Sequence, residues 1–312
     1  MALPNVGAAV HERTAAAMLA AIQHADRAGV PAVWLTTGAG PDALTVFAAA
    51  AASTTRIRMG TAIVPTFPRH PVVVAQQCAD IDSIAPGRFT LGVGPSHAPA
   101  MEGRYGIPYV QPLEHVSEFV GVVKTLLRGD EVNVDGARIK AHGKIGHGAA
   151  VPVIISALRA RSFELAAEIA DGAVTWLCPA QYLRDVALPA MERGAASVSR
   201  KRPKLVAHAF LALTTDAATL ASGVQQSLSY YPGMKNYQEM FVQAGFPEAR
   251  EGKWSDRMVA AAVVHGDEAS CAQKVREFLS MSGAEELILS VMPTDTDRTA
   301  SVNRTLDWIA GL

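Results

Sequence analysis

IRMGTAIVPTFPRHPVVVAQQCADIDSIAPGRFTLGVGPSH, from Ile57 to His97, reads as strand, loop, helix, strand and loop. Ile57–Val64 is rich in β-forming residues and stops at Pro65, Pro68 and Pro71, which cannot continue a central strand. Val72–Ile84 places apolar residues at helical spacing and ends before Pro86 and Gly87, a normal helix exit. Phe89–Val93 is a short apolar run suited to a strand buried on both faces. Two parallel strands joined by a helix make one βαβ unit. Polar residues gather beyond both strand ends: Thr66, Arg69 and His70 after the first, Ser96 and His97 after the second. Ligand sites of α/β proteins lie at the carboxyl ends of their strands, so chemistry is expected there.

The rest of the chain repeats the alternation. Glu12–Ala28 is an Ala-rich amphipathic helix closed by Gly29, and Val30–Leu35 is a strand followed by the loop Thr36–Gly40. Pro41 and Asp42 open a helix to Ser53. Met1–Asn5, with Pro4 inside it, makes a poor first strand. Ala98–Pro112 reads as a long loop, Glu114–Leu127 as a helix, Glu131–Ile139 as a hairpin turning at Asp135 and Gly136, and His142–Gly148 as a glycine-rich surface loop. Further strands are expected at Val151–Ser156, Ala173–Leu177, Leu205–Leu213 and Glu286–Val291, with helices at Arg159–Ala170 and from Pro179 to about Ala196. Between the last two strands, Asp216–Tyr231, Met234–Ala244, Trp254–Val263 and Ala269–Met281 all have helical patterning, and Ala300–Ala310 closes the chain. About eight strands alternating with helices, with insertions after the fourth and seventh, predict a single (β/α)₈ TIM barrel domain; an open doubly wound sheet is the competing layout.

Composition bounds the function. Of 312 residues, 49% are hydrophobic and 18% charged, which fits a packed globular enzyme, and a net charge of −1 favours neither nucleic acid nor an anionic membrane. Cys78, Cys178 and Cys271 are odd in number and scattered, so they read as buried thiols of a cytoplasmic protein. Neither a signal peptide nor a bilayer-length apolar run is seen. Gly92 and Gly94 lack the third glycine of a dinucleotide fingerprint, no GxSxG elbow occurs, and His142 and His147 lack a third metal ligand at a usual spacing, so no metal is expected.

Three motifs at matched spacing, GTAIVPT (Gly60–Thr66), PRHP (Pro68–Pro71) and GVGPSH (Gly92–His97), resemble the signature of the bacterial luciferase-like family. The resemblance is closest to the branch that uses the deazaflavin coenzyme F420. It covers nearly the whole chain and implies a TIM barrel, a homodimer and hydride transfer between coenzyme F420 and a small-molecule substrate. Two alternatives stay open: an FMN-dependent monooxygenase on the same barrel, and a non-catalytic flavin-binding relative.

The resemblance also implies site residues. In relatives a non-prolyl cis peptide at the place of Ala62–Ile63 props up the deazaflavin ring. Thr37, Gly94 and Ser96 are the cofactor contacts expected at neighbouring strand ends. Ser156, Ala157, Leu158, Arg159, Ala160 and Arg161 run from a strand end into a helix start, where N–H groups, the helix dipole and two guanidinium groups suit the cofactor phosphate. The family often has glycine where this chain has Arg159. Trp176, at a strand's carboxyl end, can wall in or stack on a planar ring, or plug the barrel mouth. His70, in its proline-bounded turn, is expected to face substrate. His97 is expected over the barrel mouth as the proton-transferring residue, since imidazole titrates near neutrality.

Overall fold

Short apolar strands alternate with helices until the last strand pairs with the first. The computed structural model describes residues 3 and 5–312. Its barrel strands are β1 (Val6–Ala9), β2 (Ala32–Leu35), β3 (Arg58–Thr61), β4 (Phe89–Gly94), β5 (Val153–Ser156), β6 (Gly172–Val174), β7 (Lys204–Ala212) and β8 (Glu286–Val291). Each pairs in parallel with the next, and Val6 of β1 lies opposite Leu287 of β8, which closes the barrel. The (β/α)₈ expectation holds, and the open sheet does not.

The outer ring begins with α1 (Ala15–Ala28), α2 (Ala43–Ser53) and α3 (Pro71–Ile84). Their starts follow from the sequence: Thr14 accepts a hydrogen bond from the Ala17 N–H and Asp42 from the Thr45 N–H. Gly29, at φ 93°, supplies the left-handed cap that ends α1.

Three boundaries differ from expectation. The first strand is Val6–Ala9 rather than Met1–Asn5; Met1, Ala2 and Pro4 lie outside the described residues. Its sequence, VGAA, has little strand propensity, and tertiary fit decides instead. A Cβ on Gly7 would come within 2.9 Å of the Ala32 carbonyl and 3.1 Å of the Trp34 indole nitrogen. The expected loop at Ala98–Pro112 contains α4 (Ala98–Tyr105), because Pro99 is tolerated in a first helical turn and Gly106 closes the helix at φ 64°. The region expected as the surface loop His142–Gly148 begins as a strand, for Lys140–Gly143 pairs antiparallel with Val132–Asp135. That hairpin follows α5 (Pro112–Leu127), whose Glu118 carboxylate accepts from the N–H groups of Ala137, Arg138 and Ile139 at 2.8–3.0 Å and so fixes the turn.

After β5 comes α6 (Ala160–Ile169); after β6, α7 (Ala180–Tyr182) runs through a π turn into α8 (Leu188–Ser197). The insertion after β7 holds α9 (Ala217–Leu228), α10 (Lys235–Gln243) and α11 (Asp256–Ala262), then a short strand, Val263–His265, that pairs with β7. The chain ends with α12 (Glu268–Ser282), β8 and α13 (Arg298–Ala310). No helix among the described residues is long and apolar enough to cross a membrane.

The barrel interior is a packed core. Trp34, Ile154, Val174, Val206 and Ile288 fill the lumen, and a Cβ on Gly60 would sit 2.4 Å from the Trp34 ring. This plug closes the lumen, and any ligand must bind above it, at the carboxyl ends of the strands.

Candidate active site

Above the plug opens a cavity of about 710 Å³. That volume lies in the range of small-molecule and cofactor sites, roughly 300–1,000 Å³. All eight strands contribute to its wall from their carboxyl ends, as β/α barrels do.

The floor is built where β3 breaks. Thr61 stitches β3 to β4 with its side chain: its hydroxyl donates to the Gly92 carbonyl and accepts from the Gly92 N–H, each at 2.7 Å. The next peptide, Ala62–Ile63, is cis and non-prolyl. Flanking backbone holds it on the β2 side, since the Ala62 N–H donates to the Leu35 carbonyl at 2.8 Å and the Ile63 carbonyl accepts from the Thr37 N–H at 3.1 Å. Ala62, Ile63 and Val174 give the cavity an apolar base, and Thr37 stands at its edge.

At the end of β4, Ser96 has φ 60°, a left-handed conformation uncommon for a residue with a side chain. The chain turns there and delivers Ser96 and His97 to the cavity wall. The His97 ring meets Tyr230 edge-on with centroids 6.2 Å apart and Tyr237 at 5.9 Å. Burial among these rings pushes its pKa below the usual histidine value. Gly94 is not part of the wall. A Cβ there would lie 2.1 Å from Ser156 Oγ, so its lack of a side chain makes room for Ser156.

The start of α6 forms one end of the cavity, lined by Ser156, Ala157, Leu158, Arg159 and Arg161. The Ser162 hydroxyl accepts from the N–H groups of Leu158 (3.0 Å) and Arg159 (3.1 Å), and donates to the Arg159 carbonyl at 2.7 Å. Both guanidinium groups are already paired. Arg159 reaches Glu239 of α10, and Arg161 binds Glu168 at 2.5 Å with Glu164 at 3.7 Å. Ala160 forms the first turn of α6 but does not line the cavity.

The opposite side is mainly aromatic, and the cation at its edge, Arg298, is paired with Glu12. Trp176 lies on His208 of β7 with centroids 3.6 Å apart and planes 11° apart, and its indole N–H donates to the Tyr231 hydroxyl at 2.8 Å. Trp176 therefore lines the cavity as expected, with one face covered by protein. Behind it, His208 Nε2 and His11 Nε2 share the Ser290 hydroxyl at 2.8 and 3.3 Å. Burial holds both rings neutral: His208 is pushed well below the usual value, and His11, also beside Arg298, falls to about 4. The motif reading missed His11, Ser290, His208, Tyr231 and Tyr237. The one available signal was a histidine, His11, closing the short apolar run Val6–Val10.

His70 is not brought to the cavity. Its ring caps α3, with Nδ1 accepting from the Val72 N–H at 3.3 Å and Nε2 lying 3.0 Å from the Lys140 carbonyl. The turn that was expected to present it to substrate points it at the hairpin instead.

These features fit a flavin-like group. The floor is apolar, one end offers helix-terminal N–H groups and cations, and the Thr175 hydroxyl in the wall is buried without a hydrogen-bond partner among the described residues. Comparison with known proteins adds to this. An F420-dependent glucose-6-phosphate dehydrogenase of Beutenbergia cavernae is 33% identical over 176 residues, 53% of this chain and 51% of that one. The chain thus spans about half the length of that relative. Among solved structures, an F420-dependent secondary alcohol dehydrogenase in complex with an F420–acetone adduct superposes with TM-score 0.79 at 18% identity over 98% of both chains. The FMN complex of the oxygenating constituent of 3,6-diketocamphane monooxygenase from Pseudomonas putida superposes with TM-score 0.75 at 15% identity, over 99% of this chain and 97% of that one. The sequence model of the luciferase-like monooxygenase family matches residues 1–286, and the chain belongs to that family.

Proposed function

We propose that this protein is an oxidoreductase that binds coenzyme F420 in the cavity and exchanges a hydride with a small organic substrate. One observation carries the reading: a single cavity joins an apolar floor at Ala62–Ile63, the helix start at Ser156–Arg161 and an imidazole at His97. The bound deazaflavin supplies hydride chemistry at its C5. The chain's share is to seat the ring over Ala62 and Ile63, to hold the phosphate at the start of α6, and to exclude water with Trp176, Tyr231 and Tyr237. Thr37 and Ser96 border the ring. His97 carries the proton that accompanies the hydride, and its lowered pKa keeps it neutral at neutral pH, able to accept a proton from a substrate hydroxyl. The named activity of the Beutenbergia relative supports the choice of deazaflavin.

Fluorescence titration of the purified protein tests the assignment. Coenzyme F420 should bind at micromolar concentration or tighter, and FMN more weakly. Tighter FMN binding would promote the monooxygenase reading, which the shared fold of the FMN-bound structure keeps in view. Saturable F420 binding without hydride exchange, across a panel of alcohols and ketones, would favour a non-catalytic binding protein. We further infer a cytoplasmic homodimer, in keeping with three buried unpaired thiols and a net charge of −1. Sedimentation as a monomer at micromolar concentration would count against the dimer.

A further inference from the structure

Three side chains from three strands, His208 of β7, Ser290 of β8 and His11 beyond β1, form a chain of hydrogen bonds that ends at the cavity. One backbone group sets its direction. The Leu177 N–H can only donate, and it reaches His208 Nδ1 at 3.3 Å. Nδ1 must therefore carry the lone pair, and the proton of neutral His208 sits on Nε2, 2.8 Å from Ser290 Oγ. The Ser290 hydroxyl accepts that proton's hydrogen bond and turns its own towards His11 Nε2, 3.3 Å away. His11 Nε2 is then an acceptor, so neutral His11 holds its proton on Nδ1. That nitrogen has no hydrogen-bond partner among the described residues, and it is not among the buried unpaired polar atoms.

We propose that the Ser290–His208 chain locks His11 as its neutral Nδ1–H tautomer, and that this N–H donates to an uncharged substrate oxygen, a carbonyl or a hydroxyl. The proposal rests on the reading of the cavity as a substrate site. Its surroundings favour a neutral ring: the charged groups beside His11 are Arg298, which donates to the His11 carbonyl oxygen, and Glu12, which pairs with Arg298 at 3.4 Å. A neutral imidazole polarises a carbonyl without giving up a proton, whereas a carboxylate or phosphate substrate would call for a cation. His11 does not supply a net proton. Losing Nδ1–H would leave an imidazolate, and the chain behind it has none to spare, because His208 Nδ1 already faces an N–H donor. The proton that accompanies a hydride must come from another group, the role given above to His97. His11 and His97 thus divide the work, one polarising the oxygen and the other moving the proton.

The test is long-range ¹H–¹⁵N spectroscopy of the full chain labelled with ¹⁵N-histidine, using cyclohexanone as a neutral carbonyl probe. At neutral pH His11 should appear as the Nδ1–H tautomer and His208 as Nε2–H. Ser290→Ala should leave His11 exchanging between tautomers. Cyclohexanone should shift the His11 N–H proton downfield. Its binding should weaken several-fold to roughly 10-fold in His11→Leu, and largely recover in His11→Asn, whose amide N–H stands near the place of Nδ1. An Nε2–H or doubly protonated His11, or a His11 resonance unmoved at the highest soluble ketone concentration, would overturn the proposal. Failure of coenzyme F420 to bind, with tautomers and ketone response intact, would sink the cofactor reading and leave this one standing.

Discussion

The two ends of the cavity solve the problem of buried polarity in opposite ways. At the start of α6, full charges face each other: Arg159 with Glu239, and Arg161 with Glu164 and Glu168. At the barrel side, His208, Ser290 and His11 stay neutral and are satisfied by directed hydrogen bonds under the Trp176 ring. The difference follows from exposure. Arg159 and Glu239 are 37% and 43% exposed, so water shares the cost of their charge, whereas His208 and Ser290 are fully buried and a charge there would lack solvation. A charged end can exchange partners when an anion arrives, but a hydrogen-bonded end keeps one geometry.

The largest expected effect lies at the neutral end. If His97 moves the proton, His97→Ala should slow turnover on the order of 10²–10⁴-fold while cofactor affinity stays nearly intact. Steady-state kinetics beside a fluorescence titration separate the two quantities. A parallel loss of both would make His97 a binding residue and move it, functionally, to the other end of the comparison.

The neutral end also makes stability depend on pH. The folded-state pKa of His11 lies near 4 and that of His208 well below its ordinary value, against about 6.5 for the unfolded chain. As pH falls below about 6.5, the unfolded chain takes up protons that the folded one refuses, so stability is whole above that point and is lost on the acid side. His11 alone should cost on the order of 1–2 kcal/mol between about pH 6.5 and about pH 5, and His208 should add to it. Urea midpoints across that interval should fall, and fall less in His11→Gln. A level profile would mean that these rings are charged or solvated in the native state.

How much of this was legible in the sequence divides along the same line. The barrel could be read because a strand–helix period is local; Ala62, Ile63, Ser96 and His97 were placed through the family resemblance of their motifs, and Trp176 by its position at a strand's carboxyl end. The first strand escaped, since VGAA becomes a strand only through pairing with β2 and β8. His70 was misread because a proline-bounded turn fixes its own backbone without fixing what lies across from it, here the Lys140 carbonyl. The hydrogen-bond chain of the neutral end was not legible in any motif. His11 and Ser290 stand 279 residues apart, and only barrel closure makes them neighbours.

The smallest expected effect tests the charged end, and there the sign matters more than the size. Glu239 occupies the Arg159 guanidinium in the structure, and an incoming phosphate would have to share or displace it. Arg159→Ala should weaken coenzyme F420 binding, and Glu239→Gln should strengthen it, because the glutamine leaves the guanidinium free of a competing charge. Partly exposed pairs contribute about 0.2–1 kcal/mol, so each change should be a few-fold at most. Both should shrink as salt is raised, since screening at about 0.15 M acts over about 8 Å. Arg161, held by two glutamates of its own helix, should respond less than Arg159 to the same treatment. If Glu239→Gln weakens binding as much as Arg159→Ala does, the pair works as a unit that positions α10 against α6, and its charge is structural.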